Sequence, residues 1–273
     1  VLVFTVTSRL INTIMKETGF TPEQFEKSIA ENAKPLSMGI RNTSVSFKTT
    51  VDSRIVKVRN VLGMIEGENR DEIIVIGAHY DHLGKWNGWT WNGADDNASG
   101  TVGVMTIAKA FKATGKKPAK SIIFAAWTAE EKGLWGSRYF VKDALEKDMN
   151  ISFYLNYDMI ARDTVNDSKK NQVSMGYTQS KSGLEKLTKK NVRQFDIDLD
   201  VIYKPSERPS GGSDYSPFAQ QDIPVFYFMA AMHPDYHSPL DELNKINWDK
   251  MINIIKLGFL NSWELSNSNE YSE

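Results

Sequence analysis

The sequence predicts an α/β fold, a three-layer sandwich in which a mixed, largely parallel central sheet is flanked by helices. Three observations carry that expectation. Short, nearly continuous apolar runs recur at Glu72 to His79, Ser121 to Trp127, Ile151 to Tyr157 and Ile223 to Met229, as expected of strands covered on both faces. Segments with helical spacing lie between them, and such alternation implies helix layers on either side of a sheet. The length of 273 residues, with 41% hydrophobic and 25% charged, suits one large domain with a sizeable core and at most a small appendage.

Residues 1–50 stand apart from the rest. A short strand is expected from Val1 to Thr5, then a helix around Arg9 to Glu17. Thr21 reads as an N-cap with Pro22 at the first helical position, opening a second helix to about Asn32. No cluster of chemical groups falls in this segment. Ser44 to Val51 alternates polar and apolar residues and Ser53 to Glu66 continues in that style, so a hairpin or two adjoining strands should lead into the main domain, residues 51–273. Glu72 to His79 is its first buried strand. Ala98 to Thr114 then sets Val102, Met105, Ile107, Ala108 and Phe111 on a helical stripe that ends before Gly115 and Pro118. The strand Ser121 to Trp127 follows, then a helix near Ser137 to Glu146, the strand Ile151 to Tyr157 and a helix near Ser182 to Gln194. The strand Ile223 to Met229 and a helix from Trp248 to Ser266 complete the pattern, with a fraying tail from Asn267 to Glu273. The chain has no internal repeat.

Composition excludes several functions. Lys and Arg total 33 against 34 Asp and Glu, a net charge of −1, which argues against binding nucleic acid or a membrane surface through bulk charge. No apolar run approaches the roughly 18 to 20 residues that span a bilayer, so no membrane-spanning segment is expected. The absence of cysteine removes thiolate catalysis, cysteine metal sites and disulfides. The opening VLVFTVTS lacks an initiator Met, and its apolar run is too short and lacks the basic start of a signal peptide, so the chain reads as a processed or excised fragment. There is no GxSxG elbow, and Gly211-Gly212-Ser213-Asp214 lacks the lysine of a phosphate loop. His233-Pro234-Asp235-Tyr236-His237 echoes the histidine pair of single-zinc proteases, but no Glu follows the first His and Pro234 opposes the required helix.

In open α/β sheets functional groups gather at the carboxyl ends of the strands. The run EIIVIGAHYDH ends at His79, with Asp81 two residues on; SIIFAAWTAEE ends at Glu130 and Glu131; ISFYLNYDM ends at Asp158. Loops add Asp95, in Gly93-Ala94-Asp95-Asp96-Asn97, and His237. Taken singly each has an ordinary explanation: Glu130-Glu131 as the acidic first turn of a helix, Asp95-Asp96-Asn97 as a turn or N-cap, His79 as a satisfied buried imidazole. Packing explains their joint appearance poorly. Nitrogen and oxygen ligands without sulfur suit a hard-to-borderline cation, Zn²⁺ by default. One metal would be overfilled by two histidines and four carboxylates. Two metals sharing one carboxylate and a water would be satisfied by two histidines and three carboxylates, leaving a free carboxylate as general base.

These residues, with their neighbours, resemble the co-catalytic two-zinc aminopeptidase family, which includes secreted bacterial leucine aminopeptidases, glutamate carboxypeptidase II-like peptidases and glutaminyl cyclases. The matching segments are NVLGMIEG (Asn60 to Gly67), GAHYDH (Gly77 to His82), GADDNASG (Gly93 to Gly100), AEEKGLWGS (Ala129 to Ser137), NYDM (Asn156 to Met159), GGSDYSPF (Gly211 to Phe218) and DYHSPLDE (Asp235 to Glu242). Together they cover roughly Asn60 to Leu265.

The resemblance implies a zinc-peptidase fold and two Zn²⁺ per chain, about 3.5 to 4 Å apart, sharing a water. Asp95 would bridge them, His79 and Asp158 would complete one site, and Glu131 and His237 the other. Glu130 would be the general base, Tyr236 an additional oxyanion donor, and Asp81 a group orienting the His79 imidazole. A cis peptide between Asp95 and Asp96 is implied as well. The function so implied is a metal-dependent exopeptidase that removes N-terminal residues, apolar ones first, from peptide substrates, in an exported enzyme that is periplasmic, on the cell surface or secreted. The alternatives are a carboxypeptidase, a single-zinc glutaminyl cyclase and a metal-free binding relative.

The pattern departs at His82, where the family commonly has Ser or another small residue, and at Ser213-Asp214-Tyr215, where Ser-Asp-His is frequent. His82 is expected to be a local substitution or a group behind the ligands, not a ligand. Residues 1–50 loosely resemble the closing part of a protease-associated domain. Trp86, Trp89 and Trp91 either line an apolar subsite or pack their loop, and Tyr215, Phe218 and Met229 are expected in the core.

Overall fold

Seven strands pair into one sheet in the computed structural model, which describes residues 5–50, 52–164 and 166–270. In chain order the strands are β1 (Val61–Ile65), β2 (Asn69–His79), β3 (Gly84–Trp86), β4 (Trp89–Trp91), β5 (Lys120–Trp127), β6 (Asn150–Tyr157), β7 (Gln172–Thr178), β8 (Asp200–Ser206) and β9 (Val225–Met229). The helices are α1 (Ser8–Met15), α2 (Pro22–Asn32), α3 (Gly100–Ala113), α4 (Trp135–Glu146), α5 (Gly183–Gln194), α6 (Tyr215–Ala219) and α7 (Trp248–Asn267). β3 and β4 form a separate hairpin, and the large sheet runs β1-β5-β2-β6-β9-β7-β8. The chain divides into two units between Val56 and Lys57, with the whole sheet in the second.

β5, β2, β6 and β9 are mutually parallel, while β1 and the β7-β8 pair run against them, so the sheet is mixed around a parallel centre. In register, Gly77 of β2 lies opposite both Ala125 and Asn156, and His79 lies opposite Trp127. The carboxyl ends of the central strands therefore finish side by side.

Side-chain alternation along β2 builds two cores. Ile74, Ile76 and Ala78 join Ile107, Phe111, Leu187, Ile254 and Leu257 under α3, α5 and α7, whereas Ile73 and Val75 join Trp127, Phe140 and Phe218 under α4 and α6. Each fully buried side chain of this size contributes about 1.5 to 3 kcal/mol. The three-layer α/β sandwich expected from the apolar runs is the architecture observed.

Both N-terminal helices form close to the expected bounds. Thr7 caps α1 and a capping box closes α2, Gln24 N–H donating to Thr21 Oγ1 (3.2 Å) and Thr21 N–H to Gln24 Oε1 (2.9 Å). The strand expected at Val1 to Thr5 falls almost wholly outside the described residues. Residues 44–50 form no strand, and Val51 lies outside the described residues; of Ser53 to Glu66 only β1 is a strand. The side chains of residues 44–50 are exposed, and an alternating pattern makes a strand only where another strand pairs with it and a core covers one face. Among the described residues four strands are not indicated by periodicity: the short β3 and β4 of the hairpin, and β7 and β8. Gly176 interrupts β7 where an added Cβ would run into the Tyr227 ring, and β8 is largely exposed with Pro205 near its end.

Candidate metal centre

Every strand of the parallel centre delivers a polar group to the same end of the sheet. His79 closes β2, its carbonyl accepting from Thr101 Oγ1 at 2.7 Å. Past β5 the chain turns through Ala129, at φ +54°, and the Asp81 carboxylate accepts the main-chain N–H of Glu130 (3.0 Å) and Glu131 (3.3 Å). Asp158 follows β6 and accepts from Ser213 Oγ at 2.6 Å. A relay continues behind it: Asn156 Nδ2 donates to Ser213 Oγ (2.9 Å), Tyr154 OH to Asn156 Oδ1 (2.7 Å) and Trp127 Nε1 to Tyr154 OH (2.8 Å). His237, beyond β9, has its carbonyl held by Trp91 Nε1 at 3.2 Å.

In the Asp95-Asp96-Asn97 loop it is Asp96, and not the expected Asp95, whose carboxylate faces the two imidazoles of the cluster. The buried Asp241 carboxylate accepts the backbone N–H of Asp95 (3.0 Å) and Asp96 (3.0 Å), which fixes the loop against the sheet. The two side chains then diverge. Asp95 turns inward, accepting from Ala161 N–H at 2.7 Å and facing His233 Nε2 at 3.3 Å. Asp96 turns outward, its Oδ1 3.3 Å from His79 Nε2 and its Oδ2 3.2 Å from His237 Nε2. Asp95 is thus a loop-holding group, and Asp96 lies between the two imidazoles. The cis peptide is Asp96-Asn97 rather than Asp95-Asp96. Asn97 anchors the next turn, donating to Tyr157 O and accepting from Gly100 N–H, both at 3.0 Å.

Around Asp96 the remaining groups fall into two sets. His79 Nε2 lies 3.5 Å from Asp158 Oδ1 and 3.9 Å from Glu130 Oε2. On the other side, His237 Nε2 lies 3.1 Å from Glu131 Oε2, and His82 Nδ1 lies 2.8 Å from Glu131 Oε1. Ligand atoms of His79, Glu130 and Asp158, and of His82, Asp96 and Glu131, each gather within 4.8 Å of one another. The structure therefore brings together His79, Glu130, Glu131, Asp158 and His237, replaces Asp95 by Asp96, and adds His82.

The electrostatics explain what such a cluster wants. Burial pushes the Glu130 carboxyl up to about 9, against the pull of His79 and with the help of Asp158. Burial likewise raises Asp96, opposed by His79. For His79, burial would lower the proton affinity, but Asp158, Asp96 and Glu130 override it and raise it well above normal. Glu131 is held low because His82 and His237 outweigh its burial. Among the described residues no lysine or arginine lines the cavity that these groups share. Crowded carboxylates and imidazoles without a basic side chain, and without sulfur, fit divalent cations that take nitrogen and oxygen ligands.

The cavity has a volume of about 250 Å³ and an apolar wall that includes Met159, Tyr215, Tyr227, Met229 and Met232. Tyr215 is buried in a core as expected while also lining the cavity, Met229 is half-buried against it, and Phe218 is fully buried as expected. Tyr236 stacks on the His237 ring, with centroids 3.8 Å apart, and lines the same cavity. Asp81 meets His79 Nδ1 through its carbonyl oxygen, at 3.1 Å, with its carboxylate at 3.9 Å serving the Glu130-Glu131 turn. Asp81, expected to orient the His79 imidazole, thus meets it through its backbone. Trp86 and Trp89 are exposed and do not line the cavity, and Trp91 packs through its bond to His237.

The chain is 32% identical to a probable leucine aminopeptidase 2 of Trichophyton verrucosum over 171 residues, 61% of this chain and 32% of that one. It spans about a third of the length of such curated relatives. The solved structure of LapB from Legionella pneumophila matches with TM-score 0.66 and 26% identity, over 77% of this chain and 56% of that one. BSAP, a zinc aminopeptidase from Bacillus subtilis, shares the fold with TM-score 0.63 and 23% identity, over 77% and 50%. The model of peptidase family M28 matches residues 60–259, which include every group of the cluster, and this chain belongs to that family.

Proposed function

We propose that the chain is the catalytic part of a two-zinc exopeptidase that removes N-terminal residues from peptides, with its working unit in residues 57–273. The observation that carries this reading is Asp96, whose two oxygens face His79 at 3.3 Å and His237 at 3.2 Å. His79 and Asp158 would hold one ion, Glu131 and His237 the other, and Asp96 both. When bound, the zinc pair supplies Lewis acidity that generates a nucleophile from water at neutral pH and stabilises developing negative charge.

The residues of the chain do the rest. Glu130 lines the cavity in the set with His79 and Asp158, and as the carboxylate beyond those that would hold the ions it takes the proton from water and returns it to the leaving amine. Asp81 keeps Glu130 and Glu131 aimed by fixing their backbone. Burial, together with Asp96 and Glu131, pushes the Tyr236 hydroxyl up to about 12, so it stays protonated and donates a hydrogen bond to the substrate oxygen. The wall of Met159, Tyr227, Met229 and Met232 suits an apolar side chain. Retention of both ligand sets favours two ions over the single zinc of a cyclase. An exported enzyme is the corresponding location, on the habit of its secreted relatives, and cell fractionation tests it.

Metal analysis of the purified chain should return close to two equivalents of zinc. Cleavage of a leucyl-nitroanilide should vanish on chelation and return with added zinc, and N-acetylation of a test peptide should block it while C-terminal amidation does not. Cleavage that survives chelation rejects the mechanism. Sensitivity to the C-terminal block instead favours a carboxypeptidase.

A further inference from the structure

Resting on the two-zinc reading, we propose that His82 is a positioning residue for the second ion, holding Glu131 so that only one of its oxygens faces His237 and Asp96. The Glu131 carboxylate is shared out oxygen by oxygen. Oε1 meets His82 Nδ1 at 2.8 Å, while Oε2 lies 3.1 Å from His237 Nε2. His82 stands further from Asp96, at 3.9 Å. An imidazole that donates Nδ1–H to Oε1 therefore turns Oε2 toward the ligand cluster. It leaves Nε2 as a bare acceptor, and that atom is buried without a protein partner.

The ring is built in. It is nine-tenths buried, meets His237 edge-on at 5.9 Å, and occupies space cleared at Gly93, where an added Cβ would lie 2.6 Å from His82 Cγ. Glu131 needs such a partner. Asp81 fixes only its backbone N–H, and a glutamate side chain left to itself distributes over several rotamers. Groups that orient a ligand without binding the ion are worth about 10- to 100-fold in metal affinity.

The test uses the full chain, stripped of metal and titrated with zinc against a chromophoric chelator. His82→Ala should weaken one of the two zinc equivalents by about 10- to 100-fold and leave the other unchanged. His82→Asn, whose amide nitrogen falls near the position of Nδ1, should restore that equivalent to within a few-fold, and it keeps the test open should the alanine variant fail to fold. X-ray absorption of the zinc-loaded His82→Asn protein should show the imidazole count of the wild type. Wild-type affinity for both equivalents in His82→Ala overturns the proposal, as does an asparagine variant that fails to recover or that loses an imidazole, which would make His82 a ligand. Wild-type uptake below two equivalents overturns the two-zinc reading itself, and this proposal with it.

Discussion

On the proposed reading Glu130 moves a proton and Asp96 holds cations, and substitution should separate the two. Glu130→Gln keeps the shape of the side chain but removes the acceptor, so kcat should fall by about 10² to 10⁴ while metal analysis still returns the wild-type zinc content. Asp96→Ala should lose zinc along with activity. Asp95→Ala should retain zinc yet melt earlier, by about 1 to 3 kcal/mol, because the buried Ala161 N–H loses its acceptor. Zinc loss in Asp95→Ala with retention in Asp96→Ala would reverse the assignment. The types of group, and their placement at strand ends, were legible from residues such as His79, Glu131 and Asp158. The choice between neighbouring aspartates was not, because it depends on how Asp241, far along the chain, grips both backbone N–H groups. His82 stood out as a departure from the family pattern and was expected behind the ligands, but nothing local signals that its ring will meet Glu131.

At the scale of the elements, the parallel centre works because its strand ends are tied to each other by side chains. The relay from Trp127 through Tyr154, Asn156 and Ser213 to Asp158 links β5, β6 and the start of α6. Tyr154→Phe removes one hydroxyl and leaves Trp127 Nε1 and Asn156 Oδ1 buried without partners. It should cost about 1 to 3 kcal/mol, read as a lower denaturation midpoint, and weaken turnover by loosening Asp158; an unchanged midpoint would show the relay to be idle. Gly77 permits this arrangement, since an added Cβ there would meet Trp127 and Tyr154 side chains. Strands buried on both faces announced themselves as apolar runs, which is why β2, β5, β6 and β9 were readable. β8 was not, since it is the edge strand and most of its residues are exposed, and β7 was not, because Gln172, Ser174, Gly176 and Thr178 break its apolar run although no residue of it is exposed. The alternation at Ser44 to Thr50 misled in the opposite sense, a strand-like pattern with no partner strand.

At the scale of the whole molecule the near-neutral charge conceals a local crowding of carboxylates where the central strands end, while Arg162 pairs with other carboxylates, binding Asp235 at 2.6 Å and approaching Asp241 at 3.6 Å. Without cations that imbalance must be met by protons. The Glu130 carboxyl rises from about 4.5 to about 9 in the folded chain, so between those values the native state retains a proton that the unfolded chain has released. Stability then falls as pH rises through this window. Asp214, raised to about 7 by burial, acts in the same direction. In contrast Asp235, held low by Arg162 and Lys245, loses its contribution as pH falls. Melting of the chelated protein should therefore decline from pH 5 to pH 8. Glu130→Gln has no proton to release at that position, so the chelated variant should decline less, and the gap between the two melting temperatures should widen steadily with pH. A gap that stays constant over this range would mean that Glu130 is ionised in the metal-free fold, and that the cluster does not need cations to relieve it.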